Sequence, residues 1–311
     1  MKLWIKILIS LGVLTLLFWV LPWSEVVDSV SRLPASVWLA ALGLFLVGHL
    51  IGARKWGLLL GAFGASLPWS AGARCYAAGL FANLCMPGIV GGDVVKATLA
   101  TRVTGRVEAV VLGSIADRVI DTLALVLILA TGSLLAGVHL ADSTLRPILI
   151  LIAFGLAAAA LIGLVLLRRP LRSWPARLRR TIGRTLVAFR RLRRRPTVLF
   201  VALALALSIQ TLFVLVNAWI GNALGIRVSL SVWFVVWPLA KLAGLLPVSL
   251  GGLGVRDATQ GVLLTGFGVA AARGVVASLV WQSILIAGGL LAGLFWWLES
   301  RRLGSGSSLH G

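Results

Sequence analysis

The sequence predicts an all-α, polytopic integral membrane protein with about seven to nine membrane helices, because apolar segments of roughly 20 residues recur along it. Its 311 residues are 59% hydrophobic and only 12% charged, and the mean hydropathy is +1.03. A soluble domain carries about twice that charged fraction. In addition, two glycine-rich stretches interrupt the apolar sequence, which predicts two re-entrant or broken elements.

The apolar segments define the expected domain organisation. The predicted spans cover residues 3–21, 37–53, 109–138, 147–167, 198–224, 231–246 and 274–298. We expect a single transmembrane domain over residues 1–303, with a first half to about 167, a basic loop at 168–196 and a second half at 197–303. Residues 304–311, GSGSSLHG, are low in complexity and predict a disordered tail.

The formal charge of +20 is concentrated in the basic loop. Twelve of the 29 basic residues lie between Arg168 and Arg195, interleaved with apolar side chains such as Leu186 and Phe189. This pattern predicts a cationic amphipathic helix that binds the anionic lipids of the inner leaflet. No nucleic-acid-reading module accompanies the charge, so we predict no nucleic-acid partner.

The basic clusters also predict the orientation of the chain. The clusters placed on the cytoplasmic side are Lys2/Lys6, Arg54/Lys55, Arg102/Arg106, Arg168–Arg195 and Arg301/Arg302. Both termini are then cytoplasmic. The segment between Lys55 and Ala109 must leave and return on the same side, which favours a re-entrant hairpin.

The first glycine-rich element, PGIVGGDVVK, lies in the middle of that hairpin. A break at membrane depth exposes backbone N–H groups that attract phosphate or carboxylate, and glycine allows such a group to approach closely. The side-chain amide of Asn83, one turn before Pro87, can form a hydrogen bond across the break. The candidate binding residues are Asn83, Pro87, Gly88, Gly91, Gly92, Asp93 and Lys96.

A second glycine-rich element, PVSLGGLGVR, repeats the first. When the two prolines are aligned, the Gly-Gly pairs coincide and Lys96 falls on Arg256. Interrupted segments at corresponding positions of two halves indicate the binding site of a transporter and an internal, pseudo-twofold repeat. Tight helix packing is the alternative explanation for the glycines, but not for the matched cations. The candidate residues here are Pro247, Ser249, Gly251, Gly252, Gly254, Arg256 and Asp257.

Four further charges lie inside apolar spans, namely Asp117, Arg118, Asp121 and Lys241. Charges in a membrane are costly and face a bundle interior or a cavity. Asp117 and Asp121 share a helix face, and Arg118 and Asp121 form an i,i+3 pair. The cluster of Asp117, Arg118 and Asp121 is expected to pair with Lys96, Lys241 or Arg256. Such pairing either orients a bound headgroup or only holds helices together.

Signatures of enzymes, nucleotide binding and metal binding are not found in the sequence. We therefore predict a transporter of a phosphate-bearing lipid that is not an enzyme and has no cofactor. Because there is no ATP-binding motif, transport is expected to be facilitated or ion-coupled. Two alternatives stay open: a membrane enzyme that modifies a lipid-linked sugar or phospholipid headgroup, and a non-transporting scaffold for envelope assembly.

Three ordered motifs resemble one known family. FANLCMPGIVGGDVVKA, ADRVIDTLAL and LLPVSLGGLGVRDA are similar to the motif set of the flippase-like membrane family named after the transmembrane region of lysylphosphatidylglycerol synthase. The resemblance implies an all-helical domain in a bacterial inner membrane. It implies that Asp93, Arg118, Arg256 and the glycines around them form a shared site. Asp257 departs from the family pattern, which has Glu there.

The resemblance also bears on the cargo. Fused family members, similar to the multiple peptide resistance factor, move an aminoacylated lipid between leaflets. The present chain is expected to be the membrane half only, without an aminoacyltransferase domain, so lysyl-lipid synthesis is not implied. Stand-alone relatives are associated with glycan or lipid-linked sugar pathways, which leaves a phospholipid, an aminoacyl-lipid or a polyprenyl-phosphate-linked sugar as candidate cargo.

Overall fold

The computed structural model describes residues 33–85, 91–136, 195–244 and 254–306, and the regular elements in these ranges are all α-helices. In chain order they are α1 Ala35–Ala62, α2 Trp69–Cys85, α3 Gly91–Thr104, α4 Val107–Leu135, α5 Pro196–Ala223, α6 Leu230–Gly244, α7 Val255–Thr265 and α8 Ala271–Gly306. The all-α prediction is thus confirmed for the described part of the chain.

Four of the described helices, α1, α4, α5 and α8, are long and apolar enough to cross a membrane. Helix α4 presents a row of exposed apolar side chains at every fourth position, which puts them on one face. This row consists of Val107, Val111, Ile115, Val119, Leu123 and Leu127. An apolar face left outside the bundle is suited to lipid, and the protein is a multi-pass membrane protein.

The predicted spans at 109–138, 198–224, 231–246 and 274–298 correspond to α4, α5, α6 and α8. The predicted spans at 3–21 and 147–167 and the basic loop to Arg194 lie outside the described residues. So do the tips of the two glycine-rich elements, residues 86–90 and 245–253. Helix α8 ends at Gly306, inside the segment predicted as a tail, and the rest of that tail is outside the described residues.

The predicted end of the span at 37–53 is wrong. Helix α1 continues through Arg54 and Lys55 to Ala62. Lys55 is only 1% exposed, so it lies within the helix bundle and does not mark a cytoplasmic helix end. The positive-inside rule failed here because Lys55 has buried carboxylate partners, described below, that a count of basic residues does not reveal.

The two halves of the described chain have the same order of helices. In each half a long helix is followed by two short ones and another long one: α1 to α4, then α5 to α8. The principal helix contacts correspond under the exchange of α1 with α5, α2 with α6, α3 with α7 and α4 with α8. For example, α2 packs on α8 as α6 packs on α4, and α1 packs on α5 at the centre.

Helices α2 and α3 form an antiparallel hairpin held by a very close backbone approach. The amide oxygen of Asn83 accepts a hydrogen bond of 3.0 Å from the backbone N–H of Gly92, so the expected bond across the first break exists. A Cβ added at Gly79 would lie 2.7 Å from the Gly92 carbonyl oxygen. Because both contact positions are glycine, α3 lies close enough to α2 to present Lys96 to the bundle interior, where it is 6% exposed.

We expect Gly92→Ala to destabilise the protein. The added methyl group would meet the Gly79 carbonyl oxygen and the Asn83 amide, and overpacking of this kind costs about 1–3 kcal/mol. Thermal unfolding in detergent should show a lower melting temperature. Gly72→Ala in α2 is the matched control, since its Cβ meets no atom within 4 Å, and its melting temperature should stay the same or rise. Equal melting temperatures for the two variants would contradict the close α2–α3 contact.

Candidate functional site

Six charged side chains from three helices form one continuous network, here called the first-half network. Its members are Lys55 on α1, Asp93 and Lys96 on α3, and Asp117, Arg118 and Asp121 on α4. Cations and carboxylates alternate along it, so each cation has a carboxylate partner and each carboxylate a cation. In a low-dielectric interior, charges are tolerated when they are paired in this way.

The buried end of the network is centred on Lys55. Its Nζ atom lies 3.0 Å from the Oδ1 atom of Asp117 and also pairs with Asp121. Among the described residues Asp117 Oδ1 forms no hydrogen bond, so its contact with Lys55 is an ion pair without the directionality of a hydrogen bond. The side chains of Lys55 and Asp117 are 2% and 5% exposed, so this pair joins α1 to α4 within the bundle.

The network continues through α3 to the outside of the bundle. The Nζ atom of Lys96 lies 3.0 Å from Asp93 and 3.4 Å from Asp117. Arg118 donates from Nε to Asp93 over 2.5 Å, and its side chain is 45% exposed. The expected partnership of this cluster with Lys96 is confirmed. The expected i,i+3 pair of Arg118 with Asp121 is wrong, because Arg118 turns to Asp93 on α3 and Asp121 turns to Lys55.

The second half contains a smaller charged group at the start of α7, here called the second-half pair, formed by Arg256 and Asp257. Asp257 is fully buried. Its Oδ2 atom accepts a hydrogen bond from the N–H of Gly254 (3.0 Å), which caps the helix, and its Oδ1 atom accepts one from Ser278 (2.5 Å). Gly254 has φ 79°, a conformation that glycine adopts without strain.

Arg256 is held on one side only. Its Nη2 atom donates to Asp257 Oδ1 over 3.2 Å and to the amide oxygen of Gln282 over 2.6 Å. Its Nε atom is buried and has no hydrogen-bond partner in the described part of the chain. An unpartnered buried N–H of a guanidinium is costly unless a further acceptor binds it.

Lys241 on α6 is the cation of the site that lacks a carboxylate within ion-pair distance among the described residues. Its Nζ atom donates to the amide oxygen of Gln210 over 2.8 Å and lies 5.5 Å from the ring centre of Phe213. As expected of a charge inside an apolar span, Lys241 is partly buried and bonds to α5. It interacts electrostatically with Asp121 of the first-half network and with Arg256.

A row of aromatic rings runs from Lys96 of the first-half network to Phe213, the ring that Lys241 contacts. The Nζ atom of Lys96 lies 5.2 Å from the ring centres of both Trp56 and Tyr76. The Tyr76 hydroxyl is 3.4 Å from Nδ1 of His49, and the His49 ring is 5.7 Å from that of Phe213. His49 therefore packs between rings. The row places two ammonium groups at its two ends with apolar surface between them.

Comparison with known proteins shows the family of the chain. A family model described as the lysylphosphatidylglycerol synthase TM region matches residues 3–293. The chain belongs to this family. Among curated proteins, no match was found. The lysylphosphatidylglycerol synthase TM region match includes the first-half network, the second-half pair and Lys241, so membership indicates a membrane function related to lipids.

The sequence predicted most of the charged residues that the structure brings together, but it missed the role of Lys55 and three neutral polar partners. It gave Lys55 a role in topology only, and it did not single out Gln210, Gln282 or Ser278. The candidates Pro87, Gly88, Pro247, Ser249, Gly251 and Gly252 lie outside the described residues. Gly91 is the first residue of α3, directly before the close contact at Gly92.

The two halves differ in one respect that decides their charge. Lys96 contacts Asp117, with Asp121 one turn further along α4. The aligned cation, Arg256, contacts Gln282, with Ser278 one turn earlier on α8. Lys96 thus meets a carboxylate on α4, whereas Arg256 meets an amide on α8. The first-half network is neutral, whereas Lys241 adds an uncompensated positive charge to the second half.

We predict that Lys55→Met destabilises the protein strongly. It leaves Asp121 without its cation and removes one of the two cations beside Asp117, and breaking a buried pair costs about 3–5 kcal/mol. The melting temperature in detergent should fall clearly, and the added substitution Asp121→Asn should restore part of the loss, because Asp117 still has Lys96.

Arg54→Gln is the matched control for this experiment. Arg54 precedes Lys55 in α1 but is exposed, so its replacement should change stability by no more than about 0.5 kcal/mol. If Lys55→Met and Arg54→Gln lower the melting temperature equally, Lys55 does not hold the network together.

Proposed function

We propose that the protein moves a phosphate-bearing lipid between the two leaflets of a bacterial inner membrane, as a flippase or scramblase and not as an enzyme. Both termini are cytoplasmic, and the basic segment Arg168–Arg195 binds anionic lipids of the inner leaflet. The lipid phosphate is held between two glycine-rich re-entrant elements. The observation that carries the proposal is the positive charge of the partly buried Lys241, which has no carboxylate at ion-pair distance among the described residues, together with the unsatisfied Nε of Arg256 on the next helix.

An inverted internal repeat is the architecture proposed for this transport. Helices α1 and α5, which exchange under the matching of the two halves, are antiparallel: Phe45 stacks on Phe213 with ring centres 5.9 Å apart, whereas Leu59 clusters with Ala202 and Ala206. Antiparallel equivalents in a membrane require a twofold axis that lies in the membrane plane. Repeats of this kind place the substrate site near the midplane, between the halves.

The short helices support the re-entrant assignment. Helix α3 has 14 residues and α7 has 11, so they extend only about 21 Å and 17 Å at 1.5 Å per residue. A hydrocarbon core is about 30 Å thick, so neither helix crosses it alone. Each hairpin then reaches only part of the way through the membrane.

The charges favour binding of the phosphate in the second half. The cations of the first-half network each contact a carboxylate within the described residues, so a phosphate there must displace Asp93 or Asp117. Lys241 and Arg256 can donate hydrogen bonds to a phosphate oxygen without losing a carboxylate partner. Burial strengthens such charge-assisted hydrogen bonds, because water does not compete for the donors. The first-half network then supports α3 and α4 around the site.

We expect Lys241→Gln to lower the rate of lipid exchange on the order of tenfold or more, since a buried hydrogen bond to a charged group is lost. The measurement uses proteoliposomes that contain an acyl-labelled phosphatidylglycerol, with exchange followed by quenching of the outer-leaflet label. Lys241→Arg, which keeps the charge, should retain a larger part of the rate.

Arg227→Gln serves as the control for the loss of one positive charge. Arg227 is exposed and bonds only to Asn222 in the described part of the chain, so its exchange rate should stay within about twofold of the original. The transport proposal fails if the unaltered protein exchanges lipid no faster than empty vesicles. A new headgroup species detected by mass spectrometry in the same vesicles would favour an enzyme.

A further inference from the structure

We propose that the site selects its lipid by charge: it accepts a phosphodiester headgroup with one net negative charge and discriminates against phosphomonoesters and diphosphates. This inference rests on the proposed function and names the class of lipid that it carries. The inference follows from the net charge of the side chains around the site.

The charges of the described site leave one positive charge in excess. The first-half network has three cations and three carboxylates, and the second-half pair has one of each. Lys241 is the remaining cation. One negative charge on a bound headgroup balances this excess.

A second negative charge has no such partner. A phosphomonoester carries about −1.5 to −2 at pH 7, whereas a phosphodiester carries one negative charge. In a buried site of low effective dielectric, an uncompensated unit charge is strongly unfavourable. A doubly charged headgroup therefore has to bring a proton or a cation with it, which lowers its rate of passage.

The paired cations cannot balance a second negative charge without weakening their own ion pairs. Lys96 is shared by Asp93 and Asp117, so moving it to a phosphate leaves two carboxylates with weaker partners. Arg256 cannot be separated from Asp257, which also accepts hydrogen bonds from Gly254 and Ser278 and is fully buried. The selection by charge is therefore assigned to Lys241 as the specificity-determining residue.

A substitution at Asp121 can change the net charge of the site by one. Its side chain is 27% exposed, and it pairs with Lys55, which keeps Asp117 as a second partner. Asp121 also interacts electrostatically with Lys241. Asp121→Asn therefore raises the net charge of the site from one to two while the buried Lys55–Asp117 pair remains.

The test compares acyl-labelled phosphatidylglycerol with phosphatidic acid of the same acyl chains in proteoliposomes near neutral pH. We expect the unaltered protein to exchange phosphatidylglycerol at least about tenfold faster. Asp121→Asn should raise the rate for phosphatidic acid by roughly tenfold relative to that for phosphatidylglycerol. Asp121→Glu, which keeps the charge, should retain the original ratio of the two rates.

The outcomes separate this inference from the proposed function. Exchange of both lipids at equal rates by the unaltered protein would overturn charge selection but leave transport intact, and this comparison needs no variant. An unchanged ratio in folded Asp121→Asn protein would also overturn it. Exchange of neither lipid overturns the proposed function itself. Excess inorganic phosphate should not inhibit; inhibition would indicate that the site takes free phosphate and would contradict selection of a lipid diester.

Discussion

The structure depends on the pairing of charges that lie inside an apolar helix bundle. An isolated buried charge is so unfavourable that the fold must bring a partner to it, often from another helix. Lys55 on α1 meets Asp117 and Asp121 on α4, and Lys96 on α3 meets Asp117 from a third side. These contacts fix α3, which is too short to cross a membrane, against two helices long enough to do so.

The same requirement explains why the two halves of a matched architecture have different roles. Where the first half places carboxylates around Lys96, the second half places Gln282 and Ser278 around Arg256 and Asp257. Arg256 keeps Asp257 as its counter-charge, but the partner of Lys241 is the amide of Gln210, which satisfies a hydrogen bond and leaves the positive charge in place. We interpret the first half as the neutral support of the site and the second half, with Lys241, as the part that attracts an anion.

The sequence predicted the helical membrane fold and the cluster on α4, because composition and spacing determine these directly. It misplaced Lys55, since Arg54 and Lys55 together look like the cytoplasmic end of a helix. Asp93, Asp117 and Asp121 need three cations, and Lys96 with Arg118 supplies only two, but a count of charges does not tell Lys55 from Lys241 or Arg256 as the third. Gln210 and Gln282 could not be found in this way, because neutral amides in apolar helices carry no signal of which partner they face.

The central claim is that an anionic headgroup binds at the surplus positive charge and leaves the first-half network intact. A cryo-electron microscopy structure in nanodiscs that contain phosphatidylglycerol tests this most directly. The account predicts lipid phosphate density at hydrogen-bond distance, about 2.7–3.2 Å, from Lys241 Nζ and Arg256 Nε, with Lys96 still paired to Asp93 and Asp117. Phosphate density on Lys96 or Arg118, with those ion pairs broken, would contradict it.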